Sequence, residues 1–106
     1  MNKKFLIVFT TCKSRKEARR IVTSLLKKKL IACANIMGPI ESRFRWKGRI
    51  DKADEVMVYM KTKYGNFASV EKEVKGLHSY AVPEIIAIPV IAGNKDYLKW
   101  IESETA

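Results

Sequence analysis

Ile31-Ala32-Cys33-Ala34-Asn35-Ile36-Met37-Gly38-Pro39-Ile40-Glu41-Ser42-Arg43-Phe44-Arg45-Trp46 runs into the turn signal Lys47-Gly48-Arg49 and returns through Glu55-Val56-Met57-Val58-Tyr59-Met60-Lys61-Thr62. The stretch reads as one long β-hairpin, because Gly48 can take the positive φ that a tight turn requires. Extended at about 3.3 Å per residue, the arm from Ile31 to Trp46 would reach roughly 50 Å. A compact domain of this size has a radius of gyration near ~13 Å, or a diameter of roughly 30 to 35 Å. The arm must therefore bend at Gly38-Pro39 or project from the body. A projecting arm carries Phe44 and Trp46 with it, and large apolar side chains there need a covering surface. The hairpin thus predicts an assembly of several copies.

Ahead of the hairpin, Phe5-Leu6-Ile7-Val8-Phe9 is a short apolar run of strand formers and predicts a central strand buried on both faces. Ser14 stands three residues before Glu17, the spacing of a capping box, and Ala18, Ile21, Val22, Leu25 and Leu26 follow at helical intervals. Lys27, Lys28 and Lys29 close that helix, where cations meet the negative end of its dipole. After the hairpin, Tyr64-Gly65-Asn66 breaks the strand, and Asn66 is read as the N-cap of a second helix carrying Phe67, Val70, Val74 and Leu77. Gly76 to Pro83 is loop, since Pro83 disfavours helix at Val82. Ile85-Ile86-Ala87-Ile88-Pro89-Val90-Ile91 is a last strand, placed at an edge or a bulge because Pro89 has no N–H for the ladder. Asn94 caps a terminal helix holding Tyr97, Leu98 and Ile101.

Strand, helix, hairpin, helix, strand is the order of a ferredoxin-like βαββαβ sandwich of the α+β class, here with an extra C-terminal helix. Two helices would cover one face of its sheet. The other face would stay open, with Met57, Tyr59, Ile36 and Ile40 available to bury it against other subunits.

With 106 residues and 47% hydrophobic content, residues 1–106 are expected to form a single domain with one core. No apolar run approaches the roughly 18 residues of a membrane span. Met1-Asn2-Lys3-Lys4 leads into the first strand without a signal-peptide cleavage pattern, which predicts a cytoplasmic protein. Cys12 and Cys33 are too few for a disulfide scaffold; in a reducing compartment they remain available as soft metal ligands. The net charge of +10 is lopsided, with 15 Lys/Arg against 3 Asp/Glu before residue 54 and 6 against 8 after it. Such asymmetry raises nucleic acid as a partner.

Arg43, Arg45, Lys47 and Arg49 recur at every second position, interleaved with Phe44 and Trp46. A single-strand platform would need rings and cations in one groove, whereas strand periodicity sends them to opposite faces. The alternation is read instead as a solvated face and a packed one, and nucleic acid is not the expected partner. His78, in Gly76-Leu77-His78-Ser79-Tyr80, is the only histidine. Imidazole and thiolate suit copper and zinc, but one His and two Cys lack the spacing of a closed tetrahedral site. Only a symmetric oligomer could gather several copies. Lys61, Tyr80 and Glu84 would form a polar cluster if the hairpin's second arm meets the loop before the last strand. The chain has no nucleophile elbow, phosphate loop, dinucleotide fingerprint or paired-histidine motif, and nothing in it argues for an enzyme.

Several blocks together resemble the CutA divalent-cation tolerance family: Leu30 to Ile36, then Ser42, Phe44, Trp46, Gly48 and Ile50, then Glu55 with Lys61-Thr62. His78-Ser79-Tyr80 with Val82 to Ile86, and Gly93, Tyr97-Leu98 and Trp100-Ile101, extend the likeness over nearly the whole chain. The resemblance implies a ferredoxin-like homotrimer whose long hairpins pair across subunits, associated with tolerance to copper and other divalent ions and without established catalysis. Some members bind copper. Where those carry a cysteine at the end of the first strand, this chain has Thr10, with Cys12 two residues on; where they carry two histidines, it has Leu77-His78. His78 transfers directly and Cys12 is a substitute, so these two are the expected metal ligands. Cys33 is assigned to the core. A broader likeness to PII-like trimeric signalling proteins implies, as a rival, a small anionic ligand in the subunit cleft at Lys61, Tyr80, Glu84 and Trp46.

Overall fold

The computed structural model describes residues 4–106; residues 1–3 of the lead-in segment lie outside the described residues. The elements are β1 (Phe5–Cys12), α1 (Arg15–Lys27), β2 (Cys33–Trp46), β3 (Arg49–Lys63), a 3₁₀ turn (Tyr64–Asn66), α2 (Phe67–Leu77), β4 (Ile86–Pro89) and α3 (Lys95–Glu104). The strands form one antiparallel sheet in the order β2-β3-β1-β4, which is the expected ferredoxin-like topology with its additional helix. β4 is a short edge strand ending on Pro89, whose N faces the open edge, while the next residue, Val90, donates its N–H to the Phe5 carbonyl at 2.9 Å.

Strand periodicity builds the core. Leu6, Val8 and Cys12 of β1 and Val56, Val58 and Met60 of β3 point to one face, where they meet Ala18, Ile21, Val22 and Leu25 of α1 and Val70 and Val74 of α2. Ser14 caps α1 by accepting from the Glu17 N–H at 3.1 Å. Its other end closes as a Schellman motif: the Leu30 N–H donates to the Leu25 carbonyl, the Lys29 N–H to the Leu26 carbonyl, and Lys29 takes φ 57°. Asn94 caps α3 through the Tyr97 N–H at 3.0 Å.

β1 is buried on both faces only towards its ends, where Phe5 and Thr11 are covered. Ile7 and Phe9, whose side chains lie on the side away from α1 and α2, are only half-buried, next to Tyr59, Met57 and the exposed Met37. Phe9 and Tyr59 meet edge to face at 5.4 Å. Ile36, expected on this open face, turns inward and packs on the core. Cys33 does the reverse: it is half-buried on the open side, 3.7 Å from the Tyr97 hydroxyl of α3. Asn66 does not cap α2 with its side chain but donates to Thr62 Oγ1 at 3.3 Å, because the preceding 3₁₀ turn already holds the entry into the helix.

The hairpin both bends and projects. Register slips between Met37 and Ile40, at Gly38-Pro39, and beyond it β2 and β3 pair only with each other, out to Trp46 opposite Arg49. Lys47 and Gly48, at φ 51° and 76°, form the two-residue turn. The turn resets the face assignment: Arg49 lies opposite Trp46 and shares its face, while Arg43 and Arg45 lie with Ile50 and Lys52. The molecule measures 44 × 29 × 23 Å, elongated by this arm.

Candidate functional site

The end of β1, the first turn of α1 and the loop after α2 meet at His78. Leu77 is the last residue of α2, so His78 leaves the helix in extended conformation, held by its N–H donating to the Val74 carbonyl. Its Nδ1 accepts from the Tyr80 N–H at 3.1 Å, and its Nε2 lies 2.8 Å from the Thr11 carbonyl oxygen. A carbonyl only accepts, so the neutral ring carries its proton on Nε2 and donates it to Thr11. Cys12 Sγ lies 4.0 Å from the same Nε2.

Glu17 completes the group. The capping box forms by halves: Ser14 accepts as expected, but the Glu17 carboxylate accepts from the Ser79 N–H at 2.9 Å and, more weakly, from the Lys13 N–H at 3.4 Å. Burial pushes this carboxyl up, but the hydrogen bonds from Ser79 and Lys13 and the nearby His78 outweigh it and hold it below the ordinary carboxylate range. The Cys12 thiol is pushed the other way, to about 12, first by burial and then by Glu17 and Glu55. Ligand atoms of Cys12, Glu17 and His78 all fall within 4.8 Å of one another. Two residues earlier on the same strand face, the Thr10 hydroxyl is fully buried without a hydrogen-bond partner.

The Tyr80 hydroxyl donates to Glu55 Oε2 at 2.7 Å. Burial first, and then this carboxylate, raise the Tyr80 phenol. Glu84 is raised by desolvation and by Glu55. Tyr80 and Glu84 therefore share Glu55, while the other two expected cleft residues stand apart within one chain. Lys61 lies six residues along β3 from Glu55, roughly 20 Å at strand spacing, and donates to Asn35 Oδ1. Trp46 is about as far away in the opposite direction, at the hairpin tip opposite Arg49. Glu17 and Glu55 were not singled out from sequence. Glu55 carried a signal, a carboxylate opening an otherwise apolar strand; Glu17 was absorbed by its role as a cap.

The family model of the CutA1 divalent ion tolerance protein matches residues 6–104. The chain belongs to the CutA1 family. The divalent-cation tolerance protein CutA of Archaeoglobus fulgidus is 47% identical over 95 residues, spanning 90% of this chain and 92% of that protein. Among solved structures, the divalent cation tolerance protein Cut A1 of Thermus thermophilus superposes with a TM-score of 0.94 at 36% identity, covering 96% of this chain and 99% of the other. That of the periplasmic divalent cation tolerance protein CutA of Archaeoglobus fulgidus gives 0.92 at 45% identity, over 94% and 97% of the two chains.

Proposed function

We propose that the chain acts in divalent-cation tolerance as a non-enzymatic, cytosolic homotrimer that binds copper or a similar ion through His78 and Cys12, with Glu17 as a third donor. The observation that carries this reading is the convergence of a thiol, an imidazole and a carboxylate within 4.8 Å. That donor set suits copper or zinc rather than a hard alkaline-earth ion. It fits at a cost: the Cys12 thiol must release its proton before Sγ donates, and the His78 ring must move its proton from Nε2 to Nδ1, giving up its hydrogen bonds to Thr11 and Tyr80. Burial first, and then the charges of Glu17 and Glu55, keep the thiol protonated, and a cation bound beside it would oppose both effects. Binding should therefore release protons and tighten from pH 6 to pH 8. Calorimetric titration with copper and zinc in two buffers of different ionisation enthalpy measures both effects. Wild type is expected to bind; His78→Ala and Cys12→Ser are expected to lose the site, and isotherms matching wild type would remove these residues from the role.

The trimer is supported by the projecting arm, where Phe44, Trp46 and Ile50 are 40%, 46% and 74% exposed, and by the open sheet face around Phe9, Met37 and Tyr59. Sedimentation at micromolar dilution should give a three-chain species; a well-folded single chain would overturn the assembly. The cytosolic location is supported by two unpaired cysteines, and cell fractionation tests it against the periplasmic location in one relative's name.

A further inference from the structure

Most of the positive charge of the first half of the chain lies away from the hairpin tip. Lys16, Arg19, Arg20 and Lys27 stand exposed on the side of α1 that faces away from the sheet, and with Thr23 and Ser24 they line a shallow trough of about 520 Å³. At 100° and 1.5 Å per residue, Lys16, Arg20 and Lys27 fall within roughly 40° of one line about 16 Å long. Arg20 donates to the Leu77 carbonyl at 2.6 Å, which fixes its side chain without neutralising it. Among the described residues Lys16, Arg19 and Lys27 have no ion-pair or hydrogen-bond partner. The acids nearby are already used: Glu17 is buried against Ser79, and Glu73 is held by Ser24 and Lys28. The trough is thus a strip of uncompensated charge flanked by hydroxyls.

This strip does not suit a two-fold contact with another copy, since like charges would meet. Nor does it suit insertion into lipid. Ala18, Ile21, Val22 and Leu25 are committed to the core, leaving Leu26 as the helix's one exposed apolar side chain. Steps of four and seven residues, about 6 and 10 Å, set Lys16, Arg20 and Lys27 in a row that a phosphate-bearing strand can follow. We propose that the outer face of α1 binds the phosphodiester backbone of nucleic acid, through charge alone and without reading sequence. The strip adjoins the His78 loop through Arg20, which holds the Leu77 carbonyl, but its cations face outward from α1 and the proposal does not depend on the metal reading.

The test is fluorescence polarisation of a labelled 12-base-pair duplex against the full chain. Four phosphate contacts predict a salt slope of about −3.6, so affinity should fall on the order of 100-fold from 50 to 200 mM salt. Lys16→Glu combined with Lys27→Glu should weaken binding at least ~10-fold at 50 mM and flatten the slope by about 2. Duplexes of unrelated sequence should bind alike, and Lys52→Glu on the hairpin should leave binding unchanged. All these positions are exposed, and circular dichroism with sedimentation checks that each variant keeps its fold and assembly. Absence of binding at 50 mM salt, binding untouched by the α1 variant, or binding to anionic vesicles but not to the duplex would each overturn the proposal.

Discussion

His78 donates its Nε2–H to the Thr11 carbonyl oxygen across 2.8 Å and thereby ties the loop after α2 to the end of β1. With Nδ1 accepting from Tyr80, both ring nitrogens are engaged without any metal. The ring is a structural tie as well as a proposed ligand. His78→Ala should therefore lower stability in metal-free buffer by about 1 to 2 kcal/mol, since a typical hydrogen bond contributes about 1 kcal/mol and its loss leaves a buried carbonyl unpaired. Guanidinium unfolding at fixed protein concentration measures this as a lower midpoint with unchanged slope. An unchanged midpoint would show that the tie carries no energy.

Glu17 gives the loop a pH signature. Its carboxyl is held low by Ser79, Lys13 and His78 against the opposing push of burial. A depressed folded value means that its contribution is complete above the unfolded carboxylate range, about 4.3, and fades as pH falls through the lower folded value. Glu17→Gln should cost about 1 to 2 kcal/mol at pH 7, and the gap to wild type should close towards pH 3. A gap of constant size from pH 7 to pH 3 would contradict this origin.

Thr10 carries the one buried side-chain oxygen without a partner among the described residues, at 0% exposure among apolar neighbours of the core. An unsatisfied buried hydroxyl costs about 1 to 3 kcal/mol. Thr10→Val keeps the branched shape and removes the orphan, so it should raise the melting temperature. Destabilisation would show that the hydroxyl has a bound partner in solution.

Gly38 sits at the irregularity where the register between β2 and β3 slips. A Cβ there would lie 3.1 Å from the Glu55 carbonyl oxygen and 3.2 Å from Val56 Cα, both backbone atoms that cannot swing aside. Gly38→Ala should cost about 1 to 3 kcal/mol by overpacking. It should also disturb Glu55 and so the Tyr80 hydrogen bond. Denaturant midpoints together with the tyrosine absorbance titration check both, and a neutral Gly38→Ala would mean that the two strands can part at the slip without loss.

Element order, the hairpin and its turn, the bend at Gly38-Pro39, two of the three expected caps and the edge position of Pro89 were all legible in the chain, because each rests on local sterics or on the period of apolar residues. Face assignments were less secure. Arg49 was placed by counting through a turn that reverses the strand, and Cys33 was assigned by its apolar neighbours, although α3, more than sixty residues away, decides what covers it.

What the sequence by itself determined is the ferredoxin-like order and the excess length of its hairpin, since periodicity and rise per residue are properties of the covalent chain. Only the tertiary structure decided that Cys12, Glu17 and His78 converge, that Tyr80 and Glu84 gather at Glu55, and that Lys61 and Trp46 stand apart from them within one chain. Those relations depend on how β1, α1 and the loop after α2 pack against one another, and no spacing along the chain encodes a distance across the core.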